Sequence, residues 1–234
     1  MHRSTKLLAA TFAAAALVPA GSALAQSAPA SGPGVPAGQI EFAQRTAQVT
    51  GSNAVPRFER TQQYLTTHTS HVVTTKISTG RVRFEGFTSP ALELRYDRQT
   101  NRVIFARGHR KPPYQTVGQE ARVFAQQVAQ GCWTASGATV FEGRSATLYK
   151  LVAATTGPCR GDAQVGQAIV DKATGAILER EAGQADGAFK EVVVLEKFGT
   201  LPLNRETAKL LRFHAHPGAK RAGDVALASK AGRS

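Results

Sequence analysis

In two short segments between residues 80 and 96 apolar and charged side chains alternate one for one, a pattern that admits few folds. Over Gly80–Gly86, Val82 and Phe84 alternate with Arg81, Arg83 and Glu85. In the next segment Leu92, Leu94 and Tyr96 alternate with Glu93 and Arg95. A period of two places successive side chains on opposite faces of an extended strand, giving each segment one dry and one wet face. The rhythm returns more loosely at Leu148–Val152, Val165–Val170, Ile177–Glu181 and Val192–Leu195. The fold expected is mainly β (α+β): a curved antiparallel sheet or half-barrel with a few covering helices.

The connections favour antiparallel neighbours. Asp97–Asn101 and Asp171–Gly175 share one turn design: Asp opens the turn, Thr stands fourth, and Asn or Gly follows. An Asp carboxylate accepts from backbone N–H groups two residues on, and Asn and Gly tolerate a left-handed backbone. Both read as tight hairpins, and Ala185-Asp186-Gly187 makes a third. Helices are few. Thr116 and Gln119 form a capping box, Val117, Ala121, Phe124 and Val128 share one helical face, and Gly131 supplies the stop. Residues 39–50 are expected to form a weaker helix ended by Gly51, and Asn204 to cap a short one over 205–213.

The beginning of the sequence has a different character. Arg3 and Lys6 precede an apolar, alanine-rich stretch from Leu7 to Val18, and Ala23-Leu24-Ala25 offers the small residues a signal peptidase requires. The stretch is too short for a hydrocarbon layer that needs about 20 apolar residues. The expectation is a signal peptide over 1–25, a Pro/Gly/Ser/Ala-rich linker over 26–38, one β-rich domain over 39–216 and a basic disordered tail over 217–234. The mature chain carries no transmembrane segment, and its place is the periplasm or the medium. In such an oxidising compartment Cys132 and Cys159 pair as a disulfide; a reactive thiol or metal ligand is the alternative.

The chain has 29 Lys and Arg against 16 Asp and Glu, a net of +13, and losing Arg3 and Lys6 leaves +11. The excess gathers in residues 57–122, with twelve basic against five acidic side chains. A field of this kind attracts polyanions. Export sets nucleic acid aside as a partner and points to a lipid, a lipoprotein or another anionic component of the envelope.

No catalytic signature is present: no nucleophile elbow, phosphate-binding glycine loop or paired-cysteine knuckle. His68 and His71 stand at odd spacing and would point to opposite faces of a strand, so they share no ion. His214 and His216 adjoin the tail and read as solvated. No metal, cofactor or catalytic residue is expected. The segment Arg107-Gly-His-Arg-Lys-Pro-Pro-Tyr114 presents Arg107 and Arg110 to a phosphate or carboxylate, or is a plain solvated connection.

The order of motifs in the second half carries a resemblance. GRSATLYKLV at 143–152 is followed by AIVDKATGAILE at 168–179, Asp186-Gly187, Val192–Val194 and Glu196-Lys-Phe198. This order resembles the periplasmic LolA-like and RseB-like lipoprotein-binding group. The resemblance implies a curved antiparallel sheet closed by helices, an apolar concavity for acyl chains or an apolar peptide, and no enzymatic activity. It transfers no functional residue. The reading is a periplasmic, non-enzymatic binding or carrier protein for a lipid, lipoprotein or amphipathic anion. Val82, Phe84, Leu92, Leu94 and Tyr96 are the candidate walls, taken to share one side of adjacent strands, with Arg107 and Arg110 beside them. A solid core made by the same residues, a hydrolase-type enzyme of unknown substrate, and a structural envelope protein are the alternatives. An open apolar cavity under the helices would mark the carrier, and titratable groups clustered in a cleft would mark the enzyme.

Overall fold

Each alternating segment forms a strand, and the strands join edge to edge in one sheet. The computed structural model describes residues 34–51, 55–107, 114–152, 159 and 164–222. The signal-peptide expectation for 1–25 and the candidate residue Arg110 lie outside the described residues. The first meander runs β1 (Gln39–Gly51), β2 (Arg57–Leu65), β3 (Ser70–Lys76), β4 (Val82–Ser89), β5 (Leu92–Asp97) and β6 (Arg102–Arg107). The second runs β7 (Trp133–Phe141), β8 (Arg144–Leu151), β9 (Val165–Asp171), β10 (Ile177–Gly183) and β11 (Phe189–Pro202). The two meet where β1 pairs with β11, from Gln39 opposite Pro202 to Gly51 opposite Phe189. A short strand, β12 (Lys220–Ala222), joins the outer edge of β6 in parallel. The result is one open curved sheet of twelve strands among the described residues, antiparallel except at that edge.

Strand order explains the helix. β6 and β7 lie at opposite sides of the sheet, so the chain between them must cross a face, and α1 (Val117–Ala129) makes that crossing. Its start follows the capping box: Thr116 Oγ1 accepts from the Gln119 N–H at 3.0 Å, and Gln119 Oε1 accepts from the Thr116 N–H at 2.9 Å. Buried Glu41 adds a carboxylate at the same terminus, accepting from the Val117 N–H at 2.6 Å, where the helix dipole favours negative charge. Gly131, at φ +78°, ends the helix in the left-handed region that a glycine enters without strain. Under α1 the core falls into two groups. Val117 packs with Ala43, Ala176, Leu195 and Phe198, while Phe124 packs with Trp133, Ala168 and Cys132. Cys132 and Cys159 form a disulfide with Cα atoms 5.1 Å apart, pinning the end of the helix to the loop after β8.

The twin hairpins take the expected form. Asp97 Oδ1 accepts from the N–H groups of Gln99 and Thr100, and Asp171 Oδ1 from those of Ala173 and Thr174. Asn101 (φ +48°) and Gly175 (φ +71°) hold the left-handed positions. Gly187 (φ +72°) does the same in the third turn.

Three expectations are corrected. Residues 39–50 are a strand, not a helix, because β1 is hydrogen-bonded along both edges, to β2 and to β11. Those two ladders outweigh the helix preference of its Gln, Ala and Arg residues. The short helix near 205–213 narrows to one 3-10 turn over Thr207–Leu211, with Asn204 Oδ1 accepting from the N–H groups of Glu206 and Thr207. Residues 220–222 of the tail expected over 217–234 form β12, and 223–234 lie outside the described residues. At the other end, Val35 of the expected linker is buried, and its carbonyl accepts from the Thr67 hydroxyl.

Candidate functional site

The face crossed by α1 keeps an opening of about 430 Å³ between the helix and strands β10, β11 and β1. Val123 and Phe124 of the helix form one wall, and Ile177, Val193 and Leu195 of the sheet the other. The side chains arise from two periods. Glu120, Val123, Phe124 and Gln127 are spaced so as to share one helical face, while Val193 and Leu195 are two apart on a strand and so share a face. Polar groups enter at defined points: Arg45, Gln115, Glu120, Gln127, Arg180 and Glu191. Arg45 Nη2 donates to Glu120 Oε2 at 2.7 Å, joining β1 to the first turn of α1. Burial pushes the Glu120 carboxyl up, against the pull of Arg45 and of Arg180. The Arg180 guanidinium lies over the Trp133 ring, 5.8 Å from its centre. The slot is therefore mixed, with apolar side chains from helix and sheet set among two arginines, two glutamates and two glutamines. A site for an amphipathic ligand likewise combines apolar walls with placed polar groups.

The walls named from sequence stand elsewhere, and they do not share one face. Ser89 pairs with Leu92 across a two-residue turn, so Phe87 faces Leu94, Glu85 faces Tyr96, and Phe84 faces Asp97. Directly paired residues lie on the same side of a sheet. Phe84 therefore looks to the helix side with Gly86, where an added Cβ would lie 3.0 Å from the Tyr114 hydroxyl. Leu92, Leu94 and Tyr96 look to the other side, together with Phe105 and Arg107 of β6. There the C-terminal segment lies over them, and His216 stacks on Tyr96 with ring centres 3.5 Å apart. Val82 is half-buried beyond a bulge in the β3–β4 ladder. Arg107 is exposed and lies over the Phe105 ring. None of these residues is among those lining the slot under α1.

The histidines also regroup. His68 stays exposed in the β2–β3 turn, whereas His71 enters β3 and is buried. On the next strand Glu85, fully buried, faces the same side. The chain returns after the 3-10 turn to bring His214 and His216 onto that carboxylate. Glu85 Oε1 lies 2.7 Å from His71 Nε2, from His214 Nδ1 and from the His214 backbone nitrogen. Its Oε2 lies 2.7 Å from His216 Nε2. Burial alone would raise this carboxyl, but the hydrogen bonds from His71 and His214 outweigh it and hold Glu85 at about 2. His216 is thus mostly covered and His214 stays exposed to solvent, but both close over the buried Glu85 carboxylate instead of standing free beside a tail. Sequence reasoning missed this cluster because it weighed each histidine against its nearest neighbour in the chain.

A second concavity, of about 440 Å³, opens at one end of strands β2 to β5. Arg57, Lys76, Arg81, Arg83 and Arg98 surround it with Glu59. Five of the twelve basic residues of 57–122 stand here.

No protein-family model matches the chain, and no curated protein does. Solved structures do. An uncharacterized conserved protein from Thermus thermophilus is 12% identical over 78% of this chain and 89% of its own, with a TM-score of 0.47. MucB of Pseudomonas aeruginosa, in its complex with MucA, is 11% identical over 74% of this chain and 56% of its own, at 0.40. A LolA superfamily protein from Nitrosomonas europaea is 10% identical over 74% and 91%, at 0.31. The group that residues 143–198 resemble is thus among the structural matches. No residue, ligand or partner is carried over from them.

Proposed function

We propose that this is an exported, non-enzymatic binding or carrier protein for an amphipathic anion such as a lipid or the acyl part of a lipoprotein. The slot under α1 carries the reading: apolar residues form both its walls, and Arg180 stands at its polar side. The ligand's apolar part lies between Val123, Phe124, Val193 and Leu195, and its anionic end meets Arg180, whose fork suits a carboxylate or phosphate. Export is supported by the charged, apolar and small-residue order of residues 1–25 and by the Cys132–Cys159 disulfide. The basic concavity at the ends of β2–β5 supports docking on an anionic envelope surface.

The test uses a fluorescent fatty-acid probe. Wild-type protein takes up the probe, and Val193→Glu abolishes uptake with little change in the melting curve, because a carboxylate in an open slot stays hydrated. Leu94→Glu, on the other face of the sheet, leaves uptake in place. A wild type that ignores the probe, or a Val193→Glu variant that still binds it, refutes the reading.

A further inference from the structure

The cluster around Glu85 calls for a positive centre, supplied either by a second proton on His71 or by a bound cation. His71 Nδ1 lies 2.6 Å from the Leu210 carbonyl oxygen, which can only accept. That nitrogen therefore carries the hydrogen. In the neutral ring this leaves Nε2 with a bare lone pair, aimed at a carboxylate oxygen 2.7 Å away that also offers only lone pairs. The same Oε1 is approached by two more nitrogens of His214 at 2.7 Å. Three nitrogens, one of them the His214 backbone N–H, meet one buried carboxylate oxygen. A shared cation would resolve the crowding.

We propose that His71, Glu85 and His214 form a binding site for one divalent transition-metal ion of the zinc type, which ties the C-terminal segment to β3 and β4, with His216 on the second carboxylate oxygen as an outer partner. The donor set is two imidazoles and one carboxylate, which suits such an ion with water completing its shell. The atoms His71, Glu85 and His214 would offer all lie within 4.8 Å of one another. A metal-bound histidine commonly donates its second nitrogen to a backbone carbonyl, fixing the tautomer. His71 does this through Leu210, from the segment that also delivers the other two histidines. A tetrahedral ion with bonds of about 2.0–2.1 Å holds its ligands about 3.3 Å apart. The donors must therefore spread by about 0.6 Å from their 2.7 Å contacts. His71 and Glu85 sit on neighbouring strands and move little. His214 has a side chain 64% exposed on a stretch without regular structure, so it can yield and also gives the ion a way in.

The site lies on the face of the sheet away from the slot under α1, so it stands or falls independently of the carrier reading. The test takes the full chain without an affinity tag, stripped with a chelator and titrated with zinc chloride near neutral pH. Native mass spectrometry and calorimetry should show one ion per chain, and the ion should raise the melting temperature. The His214→Gln/His216→Gln double variant alters only the covering segment and leaves the strands intact. It should lose more affinity than the about 10–100-fold that removal of an outer partner costs, and zinc should no longer shift its melting. His68→Ala, outside the cluster, should bind as wild type does. Absence of stoichiometric uptake means that protons alone hold the cluster together and overturns the proposal. Undiminished uptake by the double variant overturns it equally.

Discussion

The twin hairpins offer a controlled measurement, because one turn design is set in two environments. Asp171 is buried. Its Oδ1 accepts from the Ala173 N–H at 2.9 Å, the Thr174 N–H at 2.8 Å and the Thr174 hydroxyl at 3.0 Å, while Oδ2 accepts from Arg144 at 3.2 Å. Asp97 accepts from Gln99 and Thr100 in the same way, but both bonds are exposed. Replacing Asp97 by Ala lets water take over those N–H groups, and the cost should be about 1 kcal/mol or less. Replacing Asp171 by Ala strands two sheltered N–H groups and takes one partner from Arg144, and the cost should be about 2–4 kcal/mol. Asp171→Asn keeps an acceptor for the turn, removes the charge and sets an NH2 donor where Oδ2 accepted from Arg144. Although burial works to raise the Asp171 carboxyl, the bonds from Thr174, Arg144 and Ala173 outweigh it and set the folded value below the ordinary one. A depressed carboxyl contributes stability that is fully present above the unfolded value, near 3.9, and is lost as pH falls through the folded value. Urea unfolding should therefore show a constant gap between wild type and Asp171→Asn from about pH 7 to 5, closing below about pH 4. Equal costs for the two Ala variants, or a gap that ignores pH down to about 3, would refute this account of the turn.

Two further outcomes are expected. Unreduced, denatured protein should expose no alkylatable thiol, and Cys132→Ser/Cys159→Ser should lose about 3–4 kcal/mol in denaturant unfolding, as a loop of this length implies. Thr116→Ala removes the acceptor for the Gln119 N–H at the start of α1 and should cost about 1 kcal/mol by the same assay, with no change in the slope against denaturant.

Local chemistry was legible in the sequence. The alternation within each strand, the Asp-opened turns, the capping box at Thr116 and the cysteine pair each depend on residues a few positions apart or on compartment. What escaped depends on how distant segments meet. Alternation fixes the faces of one strand but not the phase between two, and the two-residue turn at Pro90-Ala91 set Phe84 and Leu94 on opposite faces. In β1, Ile40 and Ala43 are both buried although three apart, so a strand with cover on both sides reads like a helix. The slot under α1 draws on residues from 45 to 195, and the Glu85 cluster on residues from 71 to 216. Nothing in the neighbourhood of those positions announces the meeting.

The seam between β1 and β11 has a consequence for how the chain comes into being. β1 leaves the ribosome or a translocation pore among the first folded residues, and β2 can cover one of its edges at once. The partner of its other edge, residues 189–202, follows only after more than about a hundred further residues have emerged. For that interval a thirteen-residue strand offers a row of open N–H and C=O groups to any extended segment nearby. Late closure of so distant a pair makes for slow folding. A helper that shields nascent strand edges, or a rate of emergence matched to closure, is therefore a requirement written into the strand order itself.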